Sequence, residues 1–183
     1  MKIHTILVAS VLSAALFCCV GTSAGEDRKR DVDSILSGFP GYHLLTLKER
    51  DPDTRAFIVQ HFPKANPSVV HADFDGDGHL DYALLLRNDK SPTTKLVVFL
   101  CSEGGHCRSV YELDVTGYSE SVYLQLVARG TRVSQTDAID TTNHSSPAKL
   151  KASGIQVTYF EQGKVVLYWN RKLKKIEEVQ TSD

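Results

Sequence analysis

The chain has 183 residues, 42% of them hydrophobic and 23% charged, with 21 basic against 22 acidic side chains. That length suits one domain with a core of its own. The near-neutral balance removes the electrostatic case for nucleic acid or an anionic membrane as partner.

Residues 1–24 have the pattern of an export signal. Lys2 gives a positive start, Ile6 to Val20 is almost unbroken apolar, and Thr22-Ser23-Ala24 supplies small residues, so cleavage is expected after Ala24. The apolar run is short for a membrane span, and no second run of that length follows. Cys18 and Cys19 raise a lipid anchor, but Phe17 stands where lipoproteins have small residues, so soluble export to a periplasm or the exterior is the better reading. Residues 25–183 are then one domain. Cys101 and Cys107 are an even pair in an oxidising compartment, which points to a disulfide.

In chain order, residues 25–30 are a charged, frayed start. Asp31 to Leu36 reads as a short helix ending at Gly38, with Val32, Ile35 and Leu36 at helical spacing. Tyr42 to Leu47 reads as a strand. Asp51-Pro52 is an N-cap followed by proline at the first helical position, opening a helix that stops before Pro63 and buries Phe57, Ile58 and Phe62. Strands are expected before and after a loop at 73–81, from Val69 to Leu86. Lys95–Cys101 and Arg108–Val115 form a hairpin whose tip a Cys101–Cys107 bridge would close. Ser121–Ala128 is a further strand, and Gln135–Lys149 a long polar surface loop. Ile155–Phe160 and Val165–Trp169 form a C-terminal hairpin, followed by a basic turn at Arg171–Lys175 and a last strand at Ile176–Val179. The fold expected is α+β and β-rich, mainly antiparallel, with one or two short helices near the N-terminus.

The 73–81 loop carries the strongest chemical signal. Asp73, Asp75, Asp77 and Asp81 occupy positions 1, 3, 5 and 9, with Gly76 and Gly78 among them. So many like charges repel unless a cation sits between them, and alternating hard oxygens suit Ca²⁺. Glycine at position 6 permits a sharp turn, after which His79 would offer its backbone carbonyl rather than its imidazole. An EF-hand would need a bidentate Glu at position 12, where this chain has Leu84 inside an apolar strand. The loop therefore sits between strands, not helices.

In this form it closely resembles the D-x-(D/N)-G-D-G-x-x-D signature of FG-GAP and VCBS-type repeats and of integrin α-subunit propellers, over about residues 69 to 86. The resemblance implies Ca²⁺ as the bound ion and a structural or interaction role toward an envelope or extracellular protein or glycan. With one acidic loop and no internal period, a complete propeller does not fit.

Catalytic patterns are thin. His71 and His79 flank the acidic loop and with carboxylates could hold zinc, although an oxygen-rich loop suits a harder cation. His144 with Ser145 and Ser146, and the pair Asp137 and Asp140, lie in the polar loop without a Gly-x-Ser-x-Gly elbow or an oxyanion site. The Arg171–Lys175 turn, next to Glu177 and Glu178, reads as a solvated, charge-balanced face. Tyr168 and Trp169 could contact a sugar or protein, but strand aromatics more often pack inward. The function expected is an exported, non-enzymatic calcium-binding domain. The alternative is an exported metal-dependent hydrolase using the loop and its neighbouring histidines.

Overall fold

The computed structural model describes residues 24–134 and 148–181. Of the export signal expected at residues 1–24, all but Ala24 lies outside the described residues, Cys18 and Cys19 included. So do Asp137, Asp140, His144, Ser145 and Ser146.

Helix α1, Ala24–Ser37, begins seven residues before the predicted Asp31, because Glu, Arg and Lys are good helix formers and the charged start joins the helix. Among its described side chains Val32 and Ile35 are buried, one turn apart. Strand β1, Tyr42–Leu44, is shorter than the predicted Tyr42–Leu47. The chain turns into a 3-10 turn at Leu47–Glu49, where the Glu49 carboxylate accepts from Thr46 N and Thr46 Oγ1, both at 2.7 Å. Helix α2, Pro52–His61, is capped as expected: Asp51 Oδ1 accepts from Asp53 N at 3.0 Å and Thr54 N at 2.8 Å. Ile58 is buried, but Phe57 and Phe62 are only half-buried. They lie on the flank of the helix, where the Phe57 ring meets Phe160 at 5.1 Å.

The remaining strands are β2 (Val69–Ala72), β3 (Asp81–Asn88), β4 (Thr94–Cys101), β5 (Cys107–Asp114), β6 (Val122–Val127), β7 (Arg132–Val133), β8 (Ala148–Lys149), β9 (Gly154–Tyr159), β10 (Gly163–Asn170) and β11 (Lys175–Thr181). β8 takes the last residues of what the sequence suggested was one continuous loop. Every pairing among the described strands is antiparallel. One sheet runs β3-β4-β5, with β1 and β2 both bordering β3; a second runs β11-β10-β9-β6; β7 and β8 pair separately. Neither closes into a barrel or propeller.

The two sheets share a core. Ala83, Leu85, Leu96 and Val98 from the first meet Leu124, Ile155, Val157 and Leu167 from the second. The alternate residues of the same strands, Tyr82, Leu84, Leu86, Val97 and Phe99, face the other way and pack with Val32 and Ile35 of α1. Hence Asp81 to Leu86 is buried at six consecutive positions. A strand covered on both faces needs apolar residues throughout instead of in alternation. Each large side chain so buried contributes about 1.5–3 kcal/mol.

Candidate metal centre

Register places the acidic loop. Ala72 on β2 pairs with Asp81 on β3, so residues 73–80 are the connection between two adjacent antiparallel strands. Phe74, 1% exposed, plunges into the shared core and anchors the loop from inside. Around it the chain curls on its own carboxylates. Asp73 accepts from the backbone N–H groups of Gly76, Asp77 (3.1 Å) and Gly78 (3.1 Å). Asp75 accepts from Asp77 N at 3.0 Å, and Asp77 from His79 N at 2.8 Å. The turns require φ of +79° at Gly76 and +94° at Gly78, the left-handed region that favours glycine.

Asp73, Asp75 and Asp81 each bring a carboxylate oxygen to within 4.8 Å of the other two. Asp77, placed with them from its spacing, is not in that group; its carboxylate turns to the His79 amide. The His79 side chain borders a cavity of about 680 Å³ between the end of α1 and the tip of the β4–β5 hairpin. His71, on β2, is half-buried with its ring 6.3 Å from that of Tyr82. Among the described residues, neither histidine belongs to a group of metal-ligating side chains.

Asp81 differs from its neighbours in being fully buried. Its oxygens accept from Phe74 N at 2.7 Å and from Cys101 N at 2.9 Å, tying the loop to β4. Burial pushes its proton affinity up, the two N–H groups oppose, and the Asp75 and Asp77 charges add to the rise, leaving a pKa of about 6. Asp75 is raised too, first by burial and then, against the Asp77 N–H, by the charges of Asp77 and Asp73; Arg171 acts to lower it. The loop thus holds more negative charge than its own donors neutralise.

Cys101 and Cys107 form the disulfide predicted at the hairpin tip. Arg171, read from sequence as part of a solvated turn, reaches across from the β10–β11 turn. Its Nε donates to Asp75 O at 2.8 Å and its Nη2 to Gly76 O at 2.9 Å. No spacing marks it, because the contact joins residues 96 apart. Tyr168 and Trp169 flank opposite faces of β10, Trp169 against the shared core and Tyr168 against the β7–β8 side. No family model matches the chain, and no curated protein or solved structure matches it at a significant level.

Proposed function

We propose that the chain is an exported, non-enzymatic calcium-binding domain in which the 73–81 loop holds Ca²⁺. The observation that carries this is the convergence of Asp73, Asp75 and Asp81 oxygens within 4.8 Å. Two oxygens on one Ca²⁺ lie at most about 4.6–5.2 Å apart and on one Mg²⁺ at most about 4.0–4.2 Å, so the cluster admits a hard cation of either kind. The choice of calcium rests on the alternating carboxylates of the loop, which suit a cation that takes six to eight oxygens. Asp77 and the His79 carbonyl would complete the shell, directly or through water. A cation there would also relieve the repulsion that raises the proton affinity of Asp75 and Asp81.

Export rests on the Cys101–Cys107 disulfide and on the sequence of residues 1–24. Among the described residues no helix is long and apolar enough to cross a membrane. The role we assign is that of a calcium-stapled structural or interaction module of the cell envelope, contacting a protein or glycan, by analogy with FG-GAP and VCBS-type loops.

Thermal unfolding in EDTA, Ca²⁺, Mg²⁺ and Zn²⁺ tests the reading. A ligand at a hundred times its Kd stabilises the native state by about 2.7 kcal/mol, so Ca²⁺ should raise the midpoint by about 5–10 °C. Asp75→Ala should abolish that rise. A response to Zn²⁺ alone would turn the case toward the hydrolase, and none to any metal would sink the calcium proposal.

A further inference from the structure

A second charged cluster lies away from the acidic loop, where β1, the 3-10 turn and the end of β3 meet. His43 sits in it with both ring nitrogens engaged: Nδ1 is 2.6 Å from Asp89 Oδ1, and Nε2 is 3.0 Å from Glu49 Oε1. A neutral imidazole has one N–H and one lone pair. It can serve one of these carboxylates, and would turn a lone pair toward the other. Both contacts together require the imidazolium.

The two carboxylates are not equivalent. Glu49 has other donors: its Oε2 accepts from Thr46, and its Oε1 is also 3.5 Å from Arg87 Nε. Arg87 Nη1 is buried and has no hydrogen-bond partner. Asp89 presents its Oδ1 to His43 from the end of the β3 ladder, its backbone N–H fixed to Gly41 O at 2.9 Å. Lys90 and Ser91, in the turn after β3, border the same shallow cavity of about 420 Å³.

We propose that His43, Glu49 and Arg87 form a protonation-driven partner exchange. With His43 charged, Glu49 bridges to the imidazolium and links the 3-10 turn to β1. When His43 gives its proton to solvent, the remaining ring N–H stays with Asp89, and Glu49, released from Nε2, closes on Arg87 Nε, from which its Oε1 already stands 3.5 Å. The 3-10 turn thereby loses its tether to β1 and tightens the one it already has to β3.

The sign follows from the surroundings. Burial lowers the proton affinity of His43, but hydrogen bonds and charges from Asp89 and Glu49 outweigh it and leave its pKa above 6.5. Glu49 stays ionised down to about 2, its burial outweighed by the Thr46 donors and by His43. The His43-bound arrangement is therefore fully stabilising below 6.5 and lost as pH rises through the raised His43 value.

NMR titration of the His43 ring and the Arg87 Nε–H in the exported chain tests the exchange. The His43 midpoint should lie above 6.5, and the Arg87 resonance should move with the same midpoint. Asp89→Asn should lower the His43 midpoint by about 0.5–1 unit. Glu49→Gln should leave the Arg87 signal flat. A His43 midpoint at or below 6.5, or an Arg87 signal that ignores the His43 transition in the unmodified chain, overturns the proposal.

Discussion

Asp75 and Asp81 both enter the carboxylate cluster, yet they stand in different mechanical positions. Asp81 is fully buried and accepts from two backbone N–H groups that have no water to turn to. Truncating it leaves both donors unpaired, at about 1–3 kcal/mol each. Asp81→Ala should therefore lose about 2–4 kcal/mol in urea unfolding carried out in EDTA, where no metal contributes. Asp75→Ala removes one local acceptor and some repulsion, and should lose less than about 1 kcal/mol under the same conditions. Equal losses would mean that Asp81 is no structural node. The sequence places the two residues side by side as ligands, and that much of the site was legible from spacing. The second role of Asp81 was not, because its partner Cys101 N is twenty residues on, in another strand. Arg50 is a parallel case. It is 3% exposed and donates to Thr46 O, Ser68 Oγ and Val122 O at 2.9, 2.8 and 3.1 Å, knitting the segment after β1 and the residue before β2 to the start of β6. Its charge in the sequence reads as surface; only the tertiary fold supplies enough carbonyls to bury a guanidinium.

Among elements, what was legible followed from local rules. Asp51-Pro52 announced α2, the unbroken apolar run announced β3, and Cys101 and Cys107 sit opposite each other in the β4–β5 register. What was missed needed a partner from far away. β7 and β8 are two residues each and pair across a long connection, and the basic turn after β10 gave no sign of docking on the acidic loop. That docking makes Gly76 more than a turn residue. A Cβ built there would lie 1.6 Å from Arg171 Nη2, at a φ of +79°. Gly76→Ala should thus strain the backbone by about 1–2 kcal/mol and also expel the guanidinium from the Asp75 and Gly76 carbonyls. The two effects separate in a double-mutant cycle measured by chemical denaturation. In an Arg171→Ala background only the strain remains, so Gly76→Ala should cost less there, with a coupling of at least about 0.5 kcal/mol. Strict additivity would show that Arg171 does not hold the loop.

For the molecule as a whole, the acidic loop is one of the places where the two sheets are joined outside their shared core. Asp81 ties it to β4 of the first sheet through Cys101 N. Arg171, at the end of β10, ties it to the second, and Ser153 N, just before β9, donates to Asp73 O at 3.3 Å. Phe74 lies between the sheets. A ligand that orders this loop therefore acts on both sheets at once, not on a detached flap. Cations bind the native arrangement and not the unfolded chain, so their binding free energy appears as resistance to whichever openings break the site. If Ca²⁺ binds here, amide hydrogen exchange should slow in β3 and β4 and equally in β9 and β10. The expected slowing at a hundred times Kd is about a hundredfold for amides that exchange only by global opening. Protection confined to residues 73–81 would instead describe a loop whose ordering the sheets do not feel. Asp75→Ala should remove the effect everywhere, while Arg171→Ala should remove it first from β9 and β10, because the guanidinium is the side-chain link by which the second sheet holds the loop.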